Sequence, residues 1–332
     1  RTSCTAFQQT AQSNMDNFDV IGSESLLAPS TITMDRLDDI DVMVVSQATS
    51  QCCRCLCFQP SINFTMTEGK SNIQTSDQVR LDELGEVGGW IAEEATFAGR
   101  CCSSCCPGAR ATRHTVHAGR IPPALVKEET SLGCPSIQWG ERSDEFEDLN
   151  PEDLGPVIFV HEKAKTNGVT CGLGDKRCPC CCNLPYLETK DAYGKPLGRT
   201  EYVCDWCLFV PKFDVFDGNG NQAYRIRPDT CVGGLCVQCR CCDGSAGGKC
   251  CRVPFIIRDP HTHEPLKASG FKGSGETKAQ ITSLWTGIKR CCQKKDAYAV
   301  HFPEGATREM KATLLGANIL IDMAIFEQEE QN

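Results

Sequence analysis

The stretch MKATLLGANILIDMAIFE, residues 310–327, is the most apolar part of the chain. As a helix, its segment 312–326 would span about 22 Å, which is short of the roughly 30 Å hydrocarbon core of a bilayer. Asn318 and Asp322 lie four residues apart on one helical face, where a carboxylate in contact with lipid would be costly. The segment therefore predicts a helix buried inside protein rather than a membrane span. The side chains predicted to be buried on it are Leu315, Asn318, Leu320, Ile321 and Asp322.

Upstream of this helix, clusters of turn residues recur before short apolar runs. The clearest case is KFDVFDGNGNQAYRIR, residues 212–227, in which Phe213, Val215, Tyr224 and Ile226 alternate on either side of a glycine-rich turn. Such alternation is typical of two half-buried strands joined in a hairpin. The repeated pattern predicts an antiparallel meander, and so a mainly β fold.

Composition limits the classes of partner. The 332 residues could form one large β domain or two ordinary ones. Lys plus Arg number 34 against 43 Asp plus Glu, a formal charge of -9. This balance argues against general attraction to nucleic acid phosphate or to anionic lipid headgroups, so any membrane contact is expected to be apolar or covalent.

Cysteine is strongly enriched, at 26 residues, and many cysteines are adjacent in sequence. Neighbouring cysteines can pair with each other only in a strained ring, so a reducing, cytosolic compartment is expected. No signal-peptide pattern opens the chain. Because the chain begins at Arg1 rather than at a Met, the question of a preceding segment is left open. The densest cluster is RCPCCCN, residues 177–183. Disulfides, a metal site and thioester-linked fatty acids are its three candidate chemistries.

A second group of thiols has the spacing of a metal knuckle. Two cysteines three residues apart can converge on one zinc ion, and a closed structural site needs four ligands. The candidate set is Cys102, Cys105, His114 and His117. For Cys204 and Cys207, which have the same spacing, packing as small hydrophobic groups at the start of a strand is favoured.

Two segments lie outside the expected barrel. Residues 1–34 are polar and rich in Ser, Thr and Gln, which suits an arm that docks on a partner. Residues 119–154 carry four prolines and the acidic run 143–153, which is typical of a surface insertion. Either segment is a candidate contact for protein partners, and the acidic run could equally be a solvated loop.

Several motifs appear in the order found in one known family, and on them the chain resembles the phospholipid scramblases over residues 35–328. They are LDDIDVMVVSQ (37–47), GRCCSSCCPG (99–108), KRCPCCCN (176–183), YVCDWCLFVPKFDVFD (202–217), CVQCRCCDG (236–244), LWTG (284–287), DAYAVHFP (296–303) and the segment 310–327.

The resemblance implies a tubby-like fold, in which a closed antiparallel barrel of about twelve strands surrounds the C-terminal helix. Barrel closure removes sheet edges, and an inner helix supplies apolar filling. Asp322 is then expected to be buried as a structural hydrogen-bond acceptor, because a buried carboxylate requires partners.

The resemblance also implies a function: calcium-linked, ATP-independent movement of phospholipids in both directions between leaflets. It implies that fatty acids on the cysteine cluster anchor the protein at the cytoplasmic face of a membrane. The acylation sites would be Cys178, Cys180, Cys181 and Cys182. Two or more acyl chains give stable anchoring where one is marginal, so clustered sites make physical sense.

The chain departs from the family at the acidic calcium loop that precedes the HFP triplet. Aligned on that triplet, the first ligand position holds Lys294, the third holds Asp296, and Gly305 replaces the closing acid. Calcium takes about six to eight oxygen ligands, and Asp296 with Glu304 is a thin set. We therefore expect calcium binding to be weak or lost.

Two functions remain open. One is a lipid-anchored scramblase that performs no covalent chemistry. The other is a non-catalytic tubby-like scaffold in a cytoplasmic protein assembly, with the calcium response lost. An enzyme is not expected, since no nucleophile, base and orienting residue fall in a recognisable motif. Neither nucleotide nor nucleic acid binding is expected.

Overall fold

The computed structural model describes just over half of the region that resembles the scramblases. The described residues are 30–48, 62–69, 86–94, 112–122, 153–163, 171–173, 176–178, 184–203, 210–231, 236–237, 254–270, 278–284 and 296–326. Within them the chain is mainly β-structure, with an α-helix near the end.

The strands are short and follow one another along the chain. In order they are β1 (Val42–Gln47), β2 (Phe64–Glu68), β3 (Val87–Glu94), β4 (Thr112–Ala118), β5 (Val157–Lys163), β6 (Cys171–Leu173), β7 (Lys176–Cys178), β8 (Tyr186–Asp191), β9 (Pro196–Val203), β10 (Lys212–Asp217), β11 (Gln222–Pro228), β12 (Thr230–Cys231), β13 (Cys236–Val237), β14 (Phe255–Arg258), β15 (Gln280–Ser283) and β16 (Ala297–His301). A 3-10 helix, Arg36–Asp39, precedes β1. Helix α1, Arg308–Ile321, continues into a π-helical turn, Asp322–Phe326.

Twelve of these strands form a closed barrel in the order β1-β16-β15-β14-β11-β10-β9-β8-β5-β4-β3-β2. Neighbouring barrel strands are antiparallel, and β1 pairs with β16 to close the ring. The remaining four strands form two small hairpins, β6 with β7 and β12 with β13. The predicted fold, a twelve-stranded antiparallel barrel with a C-terminal helix, is confirmed.

Alternation along the strands decides what faces the interior. On β10 and β11, Phe213, Val215 and Ile226 belong to the main core cluster, which also contains most of the apolar side chains of α1. The helix begins after Thr307, whose hydroxyl oxygen accepts a hydrogen bond from the Met310 N–H at 3.4 Å. Because the inward side chains of the barrel pack on the helix, the helix is the centre of the core.

The described chain enters the barrel before residue 35. Ile32 is buried in the main core cluster, and its N–H donates to the Gly88 carbonyl at 2.7 Å. Residues 30–34 of the expected arm therefore pack as part of the barrel. The rest of that arm, 1–29, lies outside the described residues.

Both described ends of the expected insertion 119–154 meet at one outward-facing side chain, Trp90. Ile121 and Leu154 pack on it, and its indole N–H donates to the Leu154 carbonyl at 3.2 Å. The base of the connection between β4 and β5 is thus fixed to the outside of the barrel. Residues 123–152 lie outside the described residues.

Candidate functional site

Helix α1 fills the barrel. Leu315, Leu320 and Ile321 are fully buried. A Cβ atom added to Gly316 would lie 2.8 Å from Nδ1 of His161, so the missing side chain lets the helix approach the wall. The interior at this level is therefore occupied by protein rather than open. Among the described residues, no helix is both long and apolar enough to cross a membrane.

Lys311, Asn318 and Asp322 lie on one face of α1 and its π-helical continuation. Asp322 is 1% exposed, and its Oδ1 accepts a hydrogen bond from the Tyr298 hydroxyl at 2.5 Å. The Gln47 amide nitrogen lies 3.4 Å from Oδ2. Asn318, one turn earlier, is also 1% exposed, and neither atom of its side-chain amide has a hydrogen-bond partner. The structure therefore places Asp322 among donors from the opposing strands β1 and β16.

At the other end of the same face, Lys311 joins α1 to the 3-10 helix. Its ammonium donates to the carbonyl oxygens of Leu37, Asp38 and Ile40 at 2.8–2.9 Å. It also lies 5.6 Å from the ring centre of Phe302. Burial lowers the pKa of Lys311, although nearby carboxylates, led by that of Asp41, oppose the shift. The ammonium completes the hydrogen bonding of carbonyls that end the 3-10 helix.

His161 lies on the inner wall opposite α1. It is fully buried, and its Nδ1 lies 3.0 Å from the Thr189 hydroxyl. Burial lowers its pKa from 6.5 to about 3. The imidazole is therefore neutral at physiological pH, and it links β5 to β8 inside the barrel.

The two carboxylates expected to bind calcium lie at opposite ends of a strand. Asp296 comes immediately before β16, and its backbone exchanges hydrogen bonds with Gln47 on β1. Glu304 is exposed after the other end, where its N–H donates to the Lys267 carbonyl. A five-residue strand extends on the order of 16 Å, so it keeps the two side chains from one ion. These two residues do not fit a shared calcium site.

The two histidines of the zinc hypothesis face opposite sides of β4. His114 lies on the same side as Val116 and Ala118, which belong to the main core. His117 instead stacks on the outward Trp90, with 4.7 Å between the two ring centres. Burial lowers the pKa of His117, and a hydrogen bond to the Gly155 carbonyl opposes that shift. The structure therefore does not bring the two imidazoles together.

The cysteines of both hypotheses fall mostly outside the described residues. This holds for Cys102 and Cys105 of the zinc set and for Cys180, Cys181 and Cys182 of the acylation set. Cys178 is the last residue of β7, opposite Cys171 in a hairpin that is separate from the barrel. In the ranges that the structure describes, no group of three or more His, Cys, Asp or Glu side chains could hold a metal ion.

The outer face of the barrel carries cross-strand ion pairs. Lys190 lies 2.6 Å from Glu162 across β8 and β5, and Arg225 forms a two-pronged pair with Asp214 across β11 and β10. Four cations gather on β10, β11 and β14, and we call them the basic cluster: Lys212, Arg225, Arg227 and Arg258. Sequence reasoning missed this cluster. The alternation Arg225-Ile-Arg227 was its one local signal.

The chain was compared with known proteins. The family model Scramblase matches residues 251–328, which include β14, β15, β16 and α1. Human phospholipid scramblase 1 is 30% identical over 177 residues, which cover 53% of this chain and 44% of that protein. Bovine phospholipid scramblase 2 is 28% identical over 150 residues, covering 45% and 41%. Human phospholipid scramblase family member 5 is 27% identical over 152 residues, covering 45% of each.

The similarity thus spans less than half the length of these curated relatives. No solved structure matches the chain. The matched family model lies on the strands that close the barrel and on the helix that fills it, where the motifs DAYAVHFP and MKATLLGANILIDMAIFE also fall. The resemblance predicted from those motifs is confirmed: residues 251–328 match the Scramblase family model, and the chain is similar to curated phospholipid scramblases.

Proposed function

We propose that this chain is a lipid-anchored scramblase, which lets phospholipids move between leaflets in both directions without ATP and without covalent chemistry. The observation that carries the proposal is the match of the Scramblase model to residues 251–328, the part of the chain that closes and fills the barrel. The names of the curated relatives point the same way. Fold alone would not support an activity.

The filled interior limits where lipid could move. Helix α1 packs against the inner wall through fully buried side chains such as Leu315 and Leu320. An acyl chain could enter only by displacing these contacts, at the cost of a large apolar core. In this proposal the lipid path therefore runs along the outside of the barrel or between copies of the chain.

The anchor is the cysteine cluster Cys178, Cys180, Cys181 and Cys182. It begins at the end of a hairpin, β6 with β7, whose two strands form a sheet separate from that of the barrel. Acyl chains attached there could reach a bilayer without disturbing the barrel strands. The membrane face would be the cytoplasmic one, where a reducing compartment keeps thiols available for thioester formation.

This proposal does not require calcium binding. Asp296 and Glu304 lie at opposite ends of β16, and the family's first ligand position holds Lys294. We expect lipid movement to be insensitive to calcium, because calcium requires several converging oxygen ligands.

The test is a reconstitution of the acylated protein from its native source into vesicles of phosphatidylcholine with a trace of fluorescent lipid. An impermeant reductant destroys only the fluorescence that reaches the outer leaflet. We expect faster and more complete loss than in protein-free vesicles, equal with calcium and with a chelator. A loss equal to that of protein-free vesicles, with leakage excluded by an entrapped dye, would overturn the proposal.

The second candidate is a non-catalytic scaffold. It draws support from the same filled interior and from an outer face joined by ion pairs such as Lys190 with Glu162. For this reading, the purified protein would form a stable complex with a protein partner, carry no acyl chains and leave the leaflets unmixed. The reconstitution and the mass of the native protein separate the two candidates.

A further inference from the structure

The basic cluster lies on the outer face of three neighbouring strands. Phe213, Ile226 and Ile257 point into the main core, so the residues beside them in sequence point outward. Arg225 on β11 is directly opposite Arg258 on β14. The register that pairs Phe213 with Ile226 places Lys212 beside Arg227. Two like-charged pairs therefore sit next to each other across the sheet.

Such an arrangement opposes folding. Like charges directly opposite on adjacent strands destabilise a sheet. Desolvation lowers the pKa of Arg227, the positive charges of Arg258 and Arg225 lower it further, and the Asp229 carboxylate opposes the shift. The pKa of Lys212 is lowered in the same way, first by desolvation and then by Arg227 and Arg225. The fold thus holds these cations close together against their repulsion.

Two carboxylates compensate part of the charge. Asp214 accepts from Arg225 at 2.7 and 2.8 Å. Arg258 donates to Asp229 and, at 3.0 Å, to the His263 carbonyl. Both guanidiniums are thereby fixed in place.

Arg227 is the residue of the basic cluster whose guanidinium is available to bind a ligand. Within the described residues it makes no ion pair, and its buried Nε has no hydrogen-bond partner. The residue is half-buried, with fixed Arg225 and Arg258 nearby and Lys212 beside it. A planar guanidinium held among other cations is suited to a phosphate group, which it can bind through two parallel hydrogen bonds.

We propose that the basic cluster binds the phosphate of an anionic phospholipid headgroup through Arg227. The lipid source rests on the proposed function, in which the substrate travels along the outside of the barrel. Val203, directly opposite Lys212 on β9, adds a half-buried apolar side chain to the same outer face. The whole chain carries a formal charge of -9, so the attraction is local to this cluster.

The test compares the full chain, freed of thioester-linked acyl chains by hydroxylamine, with Arg227→Gln and with Arg113→Gln as a matched control, both treated in the same way. Arg113 is an outward arginine on β4, and its nearest carboxylate oxygens, on Glu94 and Glu162, are 3.8 and 3.9 Å away. Both substitutions remove one positive charge, so they change the net charge equally. Binding is measured by sedimentation with vesicles of phosphatidylcholine alone and of equal parts phosphatidylcholine and phosphatidylserine. We expect binding to the mixed vesicles only, about fivefold weaker in Arg227→Gln and unchanged in Arg113→Gln.

Thermal melting accompanies the binding measurement. Because Arg227→Gln relieves repulsion, its melting temperature is expected to equal or exceed that of the parent. A lower melting temperature together with unchanged binding would make Arg227 a structural residue and overturn the proposal. Equal loss of binding in both variants would do the same, since the effect would then follow net charge rather than the cluster.

Inorganic phosphate distinguishes the source of the ligand. If phosphate raises the melting temperature of the parent but not of Arg227→Gln, while neither vesicle binds, the site takes a soluble phosphate and the lipid source is wrong. If mixed vesicles bind in an Arg227-dependent manner while reconstituted protein moves no lipid, the headgroup site stands and the proposed function fails.

Discussion

The hydroxyl of Tyr298 donates a hydrogen bond of 2.5 Å to the Oδ1 atom of Asp322, inside the barrel. This contact joins β16, the strand that closes the ring, to the end of the helix that fills it. Both residues are 1% exposed. The position of the helix along the barrel axis is therefore tied to the closing strand by a buried polar contact, whose loss is costly when one partner remains.

Replacing Tyr298 with Phe removes this donor and leaves the carboxylate buried. We expect the free energy of unfolding to fall by about 1–3 kcal/mol, the cost of removing one hydrogen-bond donor from a buried carboxylate. Urea denaturation followed by circular dichroism measures the change. Tyr193→Phe is the control, because Tyr193 is 84% exposed. Equal stability of the two variants would show that the contact contributes little.

Leu320 tests the buried position of α1. Leu320→Ala is expected to lower the free energy of unfolding by about 2–5 kcal/mol, through lost burial and a cavity. Leu320→Asp is expected to unfold the barrel, because it buries a charge without a partner. Thermal melting is the measurement, with Val157→Ala at an exposed apolar position as control. An aspartate variant that melts like the parent would refute the position of the helix.

Lys311→Met retains the packing of the side chain and removes its ammonium. The carbonyls of Leu37, Asp38 and Ile40 then lose a shared donor. We expect a loss of stability of about 1–3 kcal/mol, with the 3-10 helix released first. Hydrogen exchange at residues 36–40 should accelerate more than elsewhere. Lys195→Met, at an exposed position, should change neither quantity.

His161 predicts a pH dependence of stability. Burial lowers its pKa from 6.5 to about 3, so between these values the unfolded chain binds a proton that the folded chain does not. The contribution of His161 to the free energy of unfolding is therefore complete above pH 6.5. It falls by about 1.4 kcal/mol per pH unit as the pH drops from 6.5 towards about 3. His161→Gln should show a shallower slope of urea midpoint against pH.

The exposed His261 provides the matched control for that experiment. His261→Gln should retain the full slope of the parent. His117 contributes in the same direction, since burial also lowers its pKa, so some slope should remain in His161→Gln. A variant at residue 161 with the slope of the parent would show that the imidazole is protonated in the folded state.

The acyl anchor predicts a change in mass. Hydroxylamine cleaves thioesters, so treatment of the protein from its native source should remove fatty-acyl mass. Peptide mapping should place that mass on Cys178, Cys180, Cys181 or Cys182. A variant with serine at these four positions should lack this mass. An unmodified native mass would remove the covalent anchor and favour the scaffold.

Local patterns in the sequence predicted the parts of the fold that depend on neighbouring residues. Phe213, Val215 and Ile226 alternate as a hairpin requires, and they face the core on β10 and β11 as expected. The turn between them is closed by Asp217, whose carboxylate accepts from the backbone N–H groups of Asn219 and Asn221. The alternation of apolar residues and the choice of turn residues both act over a few positions, so they can be recognised in a single sequence.

The candidate sites depended on contacts between distant segments, and there the sequence was less informative. Asp296 and Glu304 are only eight residues apart in the sequence, yet an extended strand between them keeps their side chains apart. The basic cluster has the opposite character: Arg258 and Arg225 are 33 residues apart and meet only because β14 pairs with β11. Proximity of this kind follows from register, which no local pattern reports.

The place of α1 in the chain order has a consequence for synthesis. A nascent polypeptide emerges from its first residue onward, so all twelve barrel strands leave the ribosome before the helix that they enclose. Until the helix has emerged, the inward apolar residues lack the element that they pack on in the finished fold, and they are more exposed to aggregation. The barrel cannot be completed strand by strand during translation. The filled barrel therefore forms only after its last-made element has been synthesised.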